Sequence, residues 1–268
     1  MVAIRIDDPA DPRVEPYRDL RERDLARLGR GFIAEGEVVL QKLATAGRYP
    51  IASVLLAERR VEKLQPLLDG LADAIPIYVC AQPVLDAICG FPLHRGVLAC
   101  GAFQPQPSAD SLLSGLGSEA VVVCLMGVCN HDNMGGIFRN AAAFGADAVL
   151  LDAGCCDPLY RKAIRVSVGA SLTTPFARLS TGEDMVERLR AFGVEPLALS
   201  PAGEVELHRV DRAGRMAVLF GSEGPGLSDD VLARCRTVRL AMAGGFDSLN
   251  VATTSGIVLH HLATAARA

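Results

Sequence analysis

Short apolar runs that alternate with helical patterns are the feature that most constrains how this chain can fold. The runs in its C-terminal part are continuous: AVVVCLMGV, DAVLLD, EPLALS and MAVLFGSE. Continuous apolar runs are typical of parallel strands that helices cover on both faces. Helical patterns such as NMGGIFRNAAAFG and GEDMVERLRAFG lie between them. Residues 119–268 are therefore predicted to form an α/β domain around a parallel sheet.

A smaller α/β unit is predicted for residues 20–104. Its strands are predicted from IASVLLAE, AIPIYVC and GVLACGAF, and RGFIAEGEVVLQKLATAG is predicted to be a helix that ends at Gly47. A stretch rich in Pro, Ser and Gly follows, as is typical of a connection between domains. Residues 105–118 are therefore predicted to be a linker.

The charge and hydropathy of the whole chain exclude several classes of protein. The formal net charge of the 268 residues is -4, which argues against a wholly basic coat protein for nucleic acid but allows a local basic surface. No apolar run reaches the roughly 18–20 residues that span a bilayer. An acidic stretch stands near the N-terminus, where a signal peptide would be basic. We expect a soluble, cytoplasmic protein without a membrane partner.

The cysteines are expected to be packing residues. None of the eight is spaced as C-x-x-C, so neither a closed zinc site nor a secreted disulfide framework is predicted. Most of them lie in apolar runs such as VVVCLMGVC, where a thiol behaves as a small buried hydrophobe. No bound metal is expected.

The stretch NHDNMGGIFRN is the first of three that carry functional signals. It places Asn133 just after a predicted strand, at the edge of the sheet where parallel α/β folds bind ligands. Gly135 allows close approach of another backbone, and Arg139 follows six residues after Asn133 within an apolar helix. The alternative is a structural role, with an Asn that caps the helix and an Arg that forms an ion pair.

The second stretch, VLFGSEGPGLSDDVL, brings a strand into glycine-rich backbone around Gly221, Glu223 and Gly224. It lacks the Lys-Ser/Thr of a phosphate-binding P-loop and the glycine spacing of a dinucleotide fold. Glycines beside one glutamate suit a ligand that backbone groups hold and that carries positive charge. An ordinary strand-to-helix turn is the alternative.

The third stretch, GGFDSLNVATTSGIVLHHLA, ends in a helical segment, and its residues 251–259 carry no charge. A terminal helix usually has one polar face. Ser248 could simply cap this helix, and Asn250 could be a satisfied loop amide.

Together, the order and spacing of these stretches resemble the SpoU/TrmH family of RNA ribose 2'-O-methyltransferases in the SPOUT class. The resemblance covers residues 119–268 and rests on three motifs: Asn133, Gly135 and Arg139; then Gly221, Glu223 and Gly224; then Leu240, Met242, Gly244, Ser248, Leu249, Asn250 and Val251. It implies a C-terminal SPOUT domain with a deep trefoil knot, a rare exception to unknotted chain connections. Residues 20–104 look like the ribosomal-protein-like substrate-binding domain that often precedes it.

The resemblance also implies a cofactor, a partner copy and site residues. S-adenosylmethionine would be held by Gly221, Leu240, Met242 and Leu249. A side chain at Gly221 is expected to block that cofactor and leave the fold intact. Arg139 would act on the ribose, either as the base or by positioning it, together with Asn133, Glu223, Ser248 and Asn250. The last helix would form a homodimer, which would account for its lack of charge.

Two departures from the family's motifs bear on the substrate. His131 and Asp132 stand where Pro and Gly are common, and Ala241 stands where Pro is common. The RNA partner, tRNA or rRNA with no DNA expected, would contact Arg161, Lys162 and Arg165, and Arg30 beside Arg27. A solvated basic loop is the alternative for the first three.

Two other functions stay open from the residues alone. The first is an RNA-binding module without catalysis, which would not need the second and third motifs. The second is a Rossmann-like, nucleotide-binding oxidoreductase, which the α/β pattern allows but whose phosphate-binding glycine signature is missing.

Overall fold

The structure, a computed structural model, describes residues 3–20, 31–244 and 248–265. The chain forms two compact units. Met1–Pro105 and Asp157–Thr173 make up the first unit, and Gln106–Cys156 and Thr174–Ala268 make up the second.

The strands and helices follow each other along the chain much as the apolar pattern predicts. The strands are β1 (Ala3–Arg5), β2 (Phe32–Glu35), β3 (Ile51–Ala57), β4 (Ile77–Cys80), β5 (Val97–Gly101), β6 (Ala120–Leu125), β7 (Ala148–Leu151), β8 (Phe176–Arg178), β9 (Glu195–Leu199), β10 (Val205–Glu206), β11 (Arg215–Phe220) and β12 (Arg236–Arg239). The α-helices are α1 (Glu37–Ala46), α2 (Glu58–Asp69), α3 (Gln82–Cys89), α4 (Ala109–Ser114), α5 (His131–Ala143), α6 (Arg161–Val166), α7 (Ala170–Thr173), α8 (Met185–Ala191), α9 (Asp229–Ala233) and α10 (Val251–Ala265). Short 3-10 helices span Pro12–Tyr17 and Leu207–Arg209.

The sheet of the first unit has the strand order β1-β4-β3-β5-β2. β1, β4 and β3 pair in parallel, whereas β5 runs antiparallel to both β3 and β2. One expectation fails here, because Phe32–Glu35 form a strand and the helix begins only at Glu37. All four residues of β2 are buried, and Gly36 turns the chain out of the strand with a φ of 108°. Burial of the whole segment outweighed its helix-like spacing.

The segment Asp157–Thr173 belongs to the first unit, although its position in the sequence predicts it in the second domain. A buried ion pair accounts for this placement. Glu35 at the end of β2 is only 4% exposed, and its Oε2 accepts a hydrogen bond of 2.6 Å from Arg161 Nη1 on α6. The carboxylate also lies 3.7 Å from Arg165 Nη1. This pairing joins residues more than 120 positions apart, so no local pattern reveals it.

The sheet of the second unit has the order β10-β12-β9-β11-β6-β7-β8, and all of its pairs are parallel. The prediction of an α/β fold with a parallel sheet is confirmed. The predicted linker is not all extended connection: it contains α4, whose Leu113 is fully buried in the core of this unit with Ala120 and Val186.

The helices α5 and α10 pack closely in the second unit. A methyl group on Gly136 of α5 would lie 2.7 Å from Cβ of Ala252, so the contact requires a residue without a side chain there. Asn140 Nδ2 donates to the Ala252 carbonyl at 2.7 Å and to Ser255 Oγ at 3.0 Å. The small residues of α10 therefore serve a close helix–helix contact.

The cysteines are mostly packing residues, as expected. All eight are free thiols. Five of them are buried: Cys80, Cys89, Cys100, Cys124 and Cys155. Burial raises the pKa of Cys89 to about 12, so this thiol stays protonated at neutral pH. Cys129 is exposed.

No helix in the described ranges has both the length and the apolar character to cross a membrane.

Candidate functional site

A cavity of about 540 Å³ lies at the carboxyl ends of β9, β11 and β12 in the second unit. This is the edge where parallel α/β sheets bind ligands. Three loops line the cavity. They contribute Leu199–Pro201 after β9, Phe220–Leu227 after β11, and Leu240 with Met242 after β12. Residues of α9 and of the start of α10 complete the wall. The site residues predicted from the second and third motifs line this cavity: Gly221, Glu223, Gly224, Leu240, Met242, Ser248, Leu249, Asn250 and Val251.

The side chain of Asn133 does not cap its helix, because Asn130 does, and it can therefore bond to the other motifs. Asn130 is the N-cap of α5, and its Oδ1 accepts from the backbone N–H of Asp132 at 2.8 Å and of Asn133 at 3.3 Å. The side chain of Asn133 is 4% exposed and its Nδ2 donates to Oε1 of Glu223 in the second motif. The first and second motifs are thereby joined by a side-chain hydrogen bond.

Asn250 joins the third motif to the same chain of hydrogen bonds. Its Nδ2 donates to Oδ1 of Asn133 at 2.8 Å. Its Oδ1 accepts from the backbone N–H of Ala252 at 2.9 Å and of Thr253 at 3.2 Å. Asn250 therefore caps α10, and the alternative that Ser248 is the cap is wrong. Ser248 is left at the cavity wall, upstream of the helix.

The chemistry of the cavity wall favours a ligand with an apolar body and positive charge. Leu240, Met242 and Leu249 give apolar surface, while Glu223 and Asp229 give the carboxylates of the wall. Glycine-rich backbone between Gly221 and Gly226 supplies amide groups close to the cavity. A wall of this kind suits an adenosine-like ring system and repels free phosphate.

Gly221 has a structural role that the sequence analysis missed. An added Cβ would collide with the backbone of Gly226 and Leu227, where the loop folds back on itself. The expectation that a side chain at Gly221 leaves the fold intact is therefore wrong. The glycine is needed first for the shape of this loop.

Arg139 is not brought to the cavity wall within one chain. It is exposed on α5, and it is absent from the residues that line the cavity. Six residues along an α-helix turn a side chain by about 240°, so Arg139 faces away from Asn133. Within residues 3–20, 31–244 and 248–265, no hydrogen bond or ion pair to Arg139 is formed.

The residues predicted to contact RNA divide into three cases. Arg161 is engaged in the first unit, with its side chain 18% exposed and its guanidinium carbon 5.2 Å from the ring centre of Phe91. Lys162 and Arg165 are half-buried on the same helix. Arg30 lies outside the described residues, as does Arg27.

Two groups of residues near the sheet edge were missed by sequence reasoning. Leu199, Ser200 and Pro201 line the cavity, and their position directly after a predicted strand could have marked them. Arg178 fixes the loop after β7, because it donates to the carbonyls of Asp152 at 2.9 Å and of Cys155 at 2.8 Å. Nothing in its sequence context marks Arg178 for this role.

Comparisons with known proteins show a family for the domain that contains this site. The model of the SpoU rRNA Methylase family matches residues 120–260. An uncharacterized tRNA/rRNA methyltransferase of Mycobacterium tuberculosis is 38% identical over 94% of this chain and 89% of its own length. The 23S rRNA (guanosine-2'-O-)-methyltransferase RlmB of Ralstonia nicotianae is 30% identical over 76% of this chain and 83% of its own.

Solved structures show the same similarity across both units. The AdoMet-bound rRNA methyltransferase of Sinorhizobium meliloti has a TM-score of 0.81 and 25% identity, and the match covers 99% of this chain and 98% of that one. The SpoU methyltransferase AviRb of Streptomyces viridochromogenes, with a TM-score of 0.79 and 24% identity, matches 96% of this chain and 98% of its own, and shares the fold.

Proposed function

The chain belongs to the SpoU rRNA methylase family, and from this premise we propose that it transfers a methyl group from S-adenosylmethionine to a ribose 2'-hydroxyl of tRNA or rRNA. The names of its relatives support the RNA substrate: the Mycobacterium tuberculosis protein is named an uncharacterized tRNA/rRNA methyltransferase, and the Ralstonia protein is named a 23S rRNA (guanosine-2'-O-)-methyltransferase. The observation that carries the proposal is the chain of hydrogen bonds from Asn250 through Asn133 to Glu223, which joins all three motifs beside one cavity.

S-adenosylmethionine fits the cavity in size and in chemistry. A volume of about 540 Å³ lies within the roughly 300–1,000 Å³ of small-molecule sites. Leu240, Met242 and Leu249 would pack on the adenosine, the loop that begins at Gly221 would offer backbone groups, and the carboxylate of Glu223 would favour a cation. The bound cofactor would supply a methyl group on a positively charged sulfur. The related Sinorhizobium structure contains this cofactor.

Arg139 is the proposed catalytic residue on the RNA side. It is an exposed cation without a partner in the described chain, so its guanidinium fork is available to a phosphate or ribose. Arginine stays protonated in proteins, which favours alignment of the substrate over removal of the 2'-hydroxyl proton by Arg139 itself. Alignment of this kind contributes much of the rate in group transfer. Asn133, held from both sides, would keep the loop with Glu223 and Ser248 in a fixed shape.

A homodimer through α10 is part of the proposal. The exposed residues Thr253, Ile257, His260 and Thr264 follow each other at helical spacing, and Ile257 is 42% exposed. The helix thus has an outward face in the single chain, and this face carries no Asp, Glu, Lys or Arg. Such a face is suited to a second copy of the same chain. Light scattering of the full chain tests this, because a monomer at micromolar concentration would reject it.

The trefoil knot and the cellular location are proposals as well. The knot rests on membership of the family, and the loops after β9, β11 and β12 that line the cavity would take part in it. A substrate of tRNA or rRNA fits a cytoplasmic enzyme.

Methylation of cellular RNA tests the proposed function. Total RNA from a strain that lacks this protein is incubated with the purified full chain and with cofactor that carries a labelled methyl group. The label is expected in a 2'-O-methylnucleoside at one position of a tRNA or rRNA. Label found only on bases would contradict the ribose assignment, and binding of RNA without any transfer would favour a binding module.

A further inference from the structure

Arg139, the proposed catalytic residue, lies between two asparagines that tie its helix to α10. Asn133 and Asn140 are separated by close to two full turns of α5, so both lie on the same face of this helix. Asn133 Oδ1 accepts from Asn250 Nδ2 at 2.8 Å, at the cap of α10. Asn140 Nδ2 donates to the Ala252 carbonyl, in the first turn of α10, at 2.7 Å. Arg139 directly precedes Asn140 and is exposed beside this shared face.

The amide of Asn140 is held by two acceptors and by close packing. Besides the Ala252 carbonyl, its Nδ2 bonds to Ser255 Oγ at 3.0 Å. Ser255 is fully buried, and its hydroxyl donates in turn to the Ala252 carbonyl at 2.8 Å. A methyl group on Gly256 would lie 3.2 Å from Asn140 Nδ2, so this glycine leaves the space that the amide occupies.

Contact between the two helices does not depend on this amide. Gly136 of α5 packs against Ala252, since a methyl group there would lie 2.7 Å from Cβ of Ala252. At the end of α5 the ring of Phe144 meets that of His260 edge-on, with ring centres 5.6 Å apart. Such contacts bring the helices together but have little directional preference. A hydrogen bond is directional, so the Asn140 amide restrains the rotation of α5 against α10.

Rotation of α5 matters most for Arg139. Its guanidinium lies at roughly 6 Å or more from the helix axis, so a rotation by about 10° moves it by about 1 Å. A misplacement of about 1 Å caused by a remote mutation can cost about 100-fold in rate. Asn133 is less sensitive, because Asn250 and Glu223 hold it from both sides.

We propose that Asn140 is a positioning residue for methyl transfer, because it fixes the rotation of α5 and thereby the place where the Arg139 guanidinium meets the RNA. The inference rests on the proposed function, since it takes Arg139 as the residue that aligns the ribose or its phosphate. Asn140 does not line the cavity, so its role concerns the rate of transfer and not the binding of S-adenosylmethionine.

The test compares full-chain variants that loosen the same pair of helices at different places. Asn140→Ala removes the donor next to Arg139, and the matched control Phe144→Ala removes the ring contact at the far end of α5. Transfer of labelled methyl groups to total RNA from a strain that lacks this protein gives kcat and KM. Calorimetric affinity for S-adenosylmethionine and the melting temperature are recorded for each variant, and the rates are measured well below the lowest melting temperature.

Asn140→Ala is expected to lower kcat at least about tenfold, with the KM for RNA and the cofactor affinity nearly unchanged. Phe144→Ala is expected to melt earlier than wild type and to keep kcat within about twofold, because both asparagines that flank Arg139 stay bonded.

A double variant separates positioning from a purely structural role. If Asn140 acts through Arg139, its amide has nothing to position once the guanidinium is gone. Arg139→Ala combined with Asn140→Ala should therefore transfer no more slowly than Arg139→Ala alone.

Gly256→Ala keeps the test decisive if Asn140→Ala does not fold. Alanine favours the helix more than glycine does, whereas its methyl group presses on the Asn140 amide. This variant should stay folded and lose kcat severalfold, so that stability and rate no longer change together.

A normal kcat in Asn140→Ala, or in Gly256→Ala where the first variant does not fold, would overturn the inference. So would a double variant whose loss is the product of the two single losses, or a loss in Phe144→Ala as large as that in Asn140→Ala. These results all require transfer by the wild type. Failure of the proposed function differs from them, because wild-type protein would then form no 2'-O-methylnucleoside, and the role of Asn140 would fall with it.

Discussion

Replacing Asn133 with a carboxylate tests the hydrogen-bond chain that joins the three motifs. Asn133→Asp keeps the size of the side chain and its acceptor for Asn250, which donates at 2.8 Å. It removes the Nδ2 donor and sets a second carboxylate against Oε1 of Glu223. A like charge at this distance raises the pKa of the introduced group by about one unit or more.

The expected cost follows from these two changes. One pKa unit corresponds to about 1.4 kcal/mol, and the lost hydrogen bond to a charged acceptor adds about 1 kcal/mol once exposure of Glu223 is allowed for. The free energy of unfolding should therefore fall by about 2 kcal/mol at pH 7.5. Because the pKa of the introduced carboxyl is raised in the folded state, the penalty grows as pH rises above its unfolded value near 4. At about pH 3.5, below both pKa values, the protonated carboxyl can donate to Glu223, and most of the loss should disappear.

Denaturant unfolding at the two pH values provides the assay, and Asn130→Asp is the matched control. Asn130 lies three residues earlier at the helix cap, where Asp accepts from the same amides equally well, so this variant should be as stable as wild type. A loss of stability at Asn133→Asp that does not depend on pH would refute the reasoning. So would an equal loss in the control.

Three further outcomes follow from the structure. Gly221→Ala should destabilise the second unit by about 2 kcal/mol or more, because a Cβ meets the backbone of Gly226; unchanged denaturant stability would show that the loop can open. Arg161→Ala should cost about 2–3 kcal/mol, since buried Glu35 keeps only the more distant Arg165; a neutral result would mean that water reaches this carboxylate. Cys129 should be the first thiol to react with a small alkylating reagent under native conditions, because most of the others are buried; mass spectrometry that finds a buried cysteine labelled first would count against the packing described here.

The parallel sheet could be predicted from the sequence because its strands are buried on both faces. β6, β7 and β11 are continuous apolar runs, and such runs have few other ways to fold. β2 could not be predicted, because FIAEG and EVVLQKL together form one helix-like pattern. Only the pairing of Phe32–Glu35 with β5, which lies far away in the sequence, makes the first part a strand. The spacing of apolar residues gave the wrong secondary structure where pairing with a distant strand determined it.

The site was predictable in its residues and only partly in its geometry. The glycine-rich turn and the Ser-Leu-Asn step predicted Glu223 and Asn250 at one ligand cavity, and both line it. The hydrogen-bond partners within the site could not be predicted, because residues such as Asn133 and Glu223 are 90 positions apart in the sequence. The same limit applies to Arg161, whose charge suggested a contact with RNA but whose partner is Glu35, a residue that looked like part of a helix.

Arg139→Ala provides the most direct test of the central claim, that this chain methylates RNA at a ribose. Wild type and variant are compared for transfer of labelled methyl groups to total RNA and for calorimetric affinity for S-adenosylmethionine. Loss of one catalytic group of this kind costs on the order of 100-fold or more in rate. The account predicts at least that loss of 2'-O-methylnucleoside with cofactor affinity nearly unchanged, since Arg139 does not line the cavity. Arg139→Lys should also transfer poorly, because lysine lacks the planar fork. Near-normal transfer by Arg139→Ala would contradict the catalytic assignment, and wild-type protein that forms no 2'-O-methylnucleoside would contradict the proposed reaction.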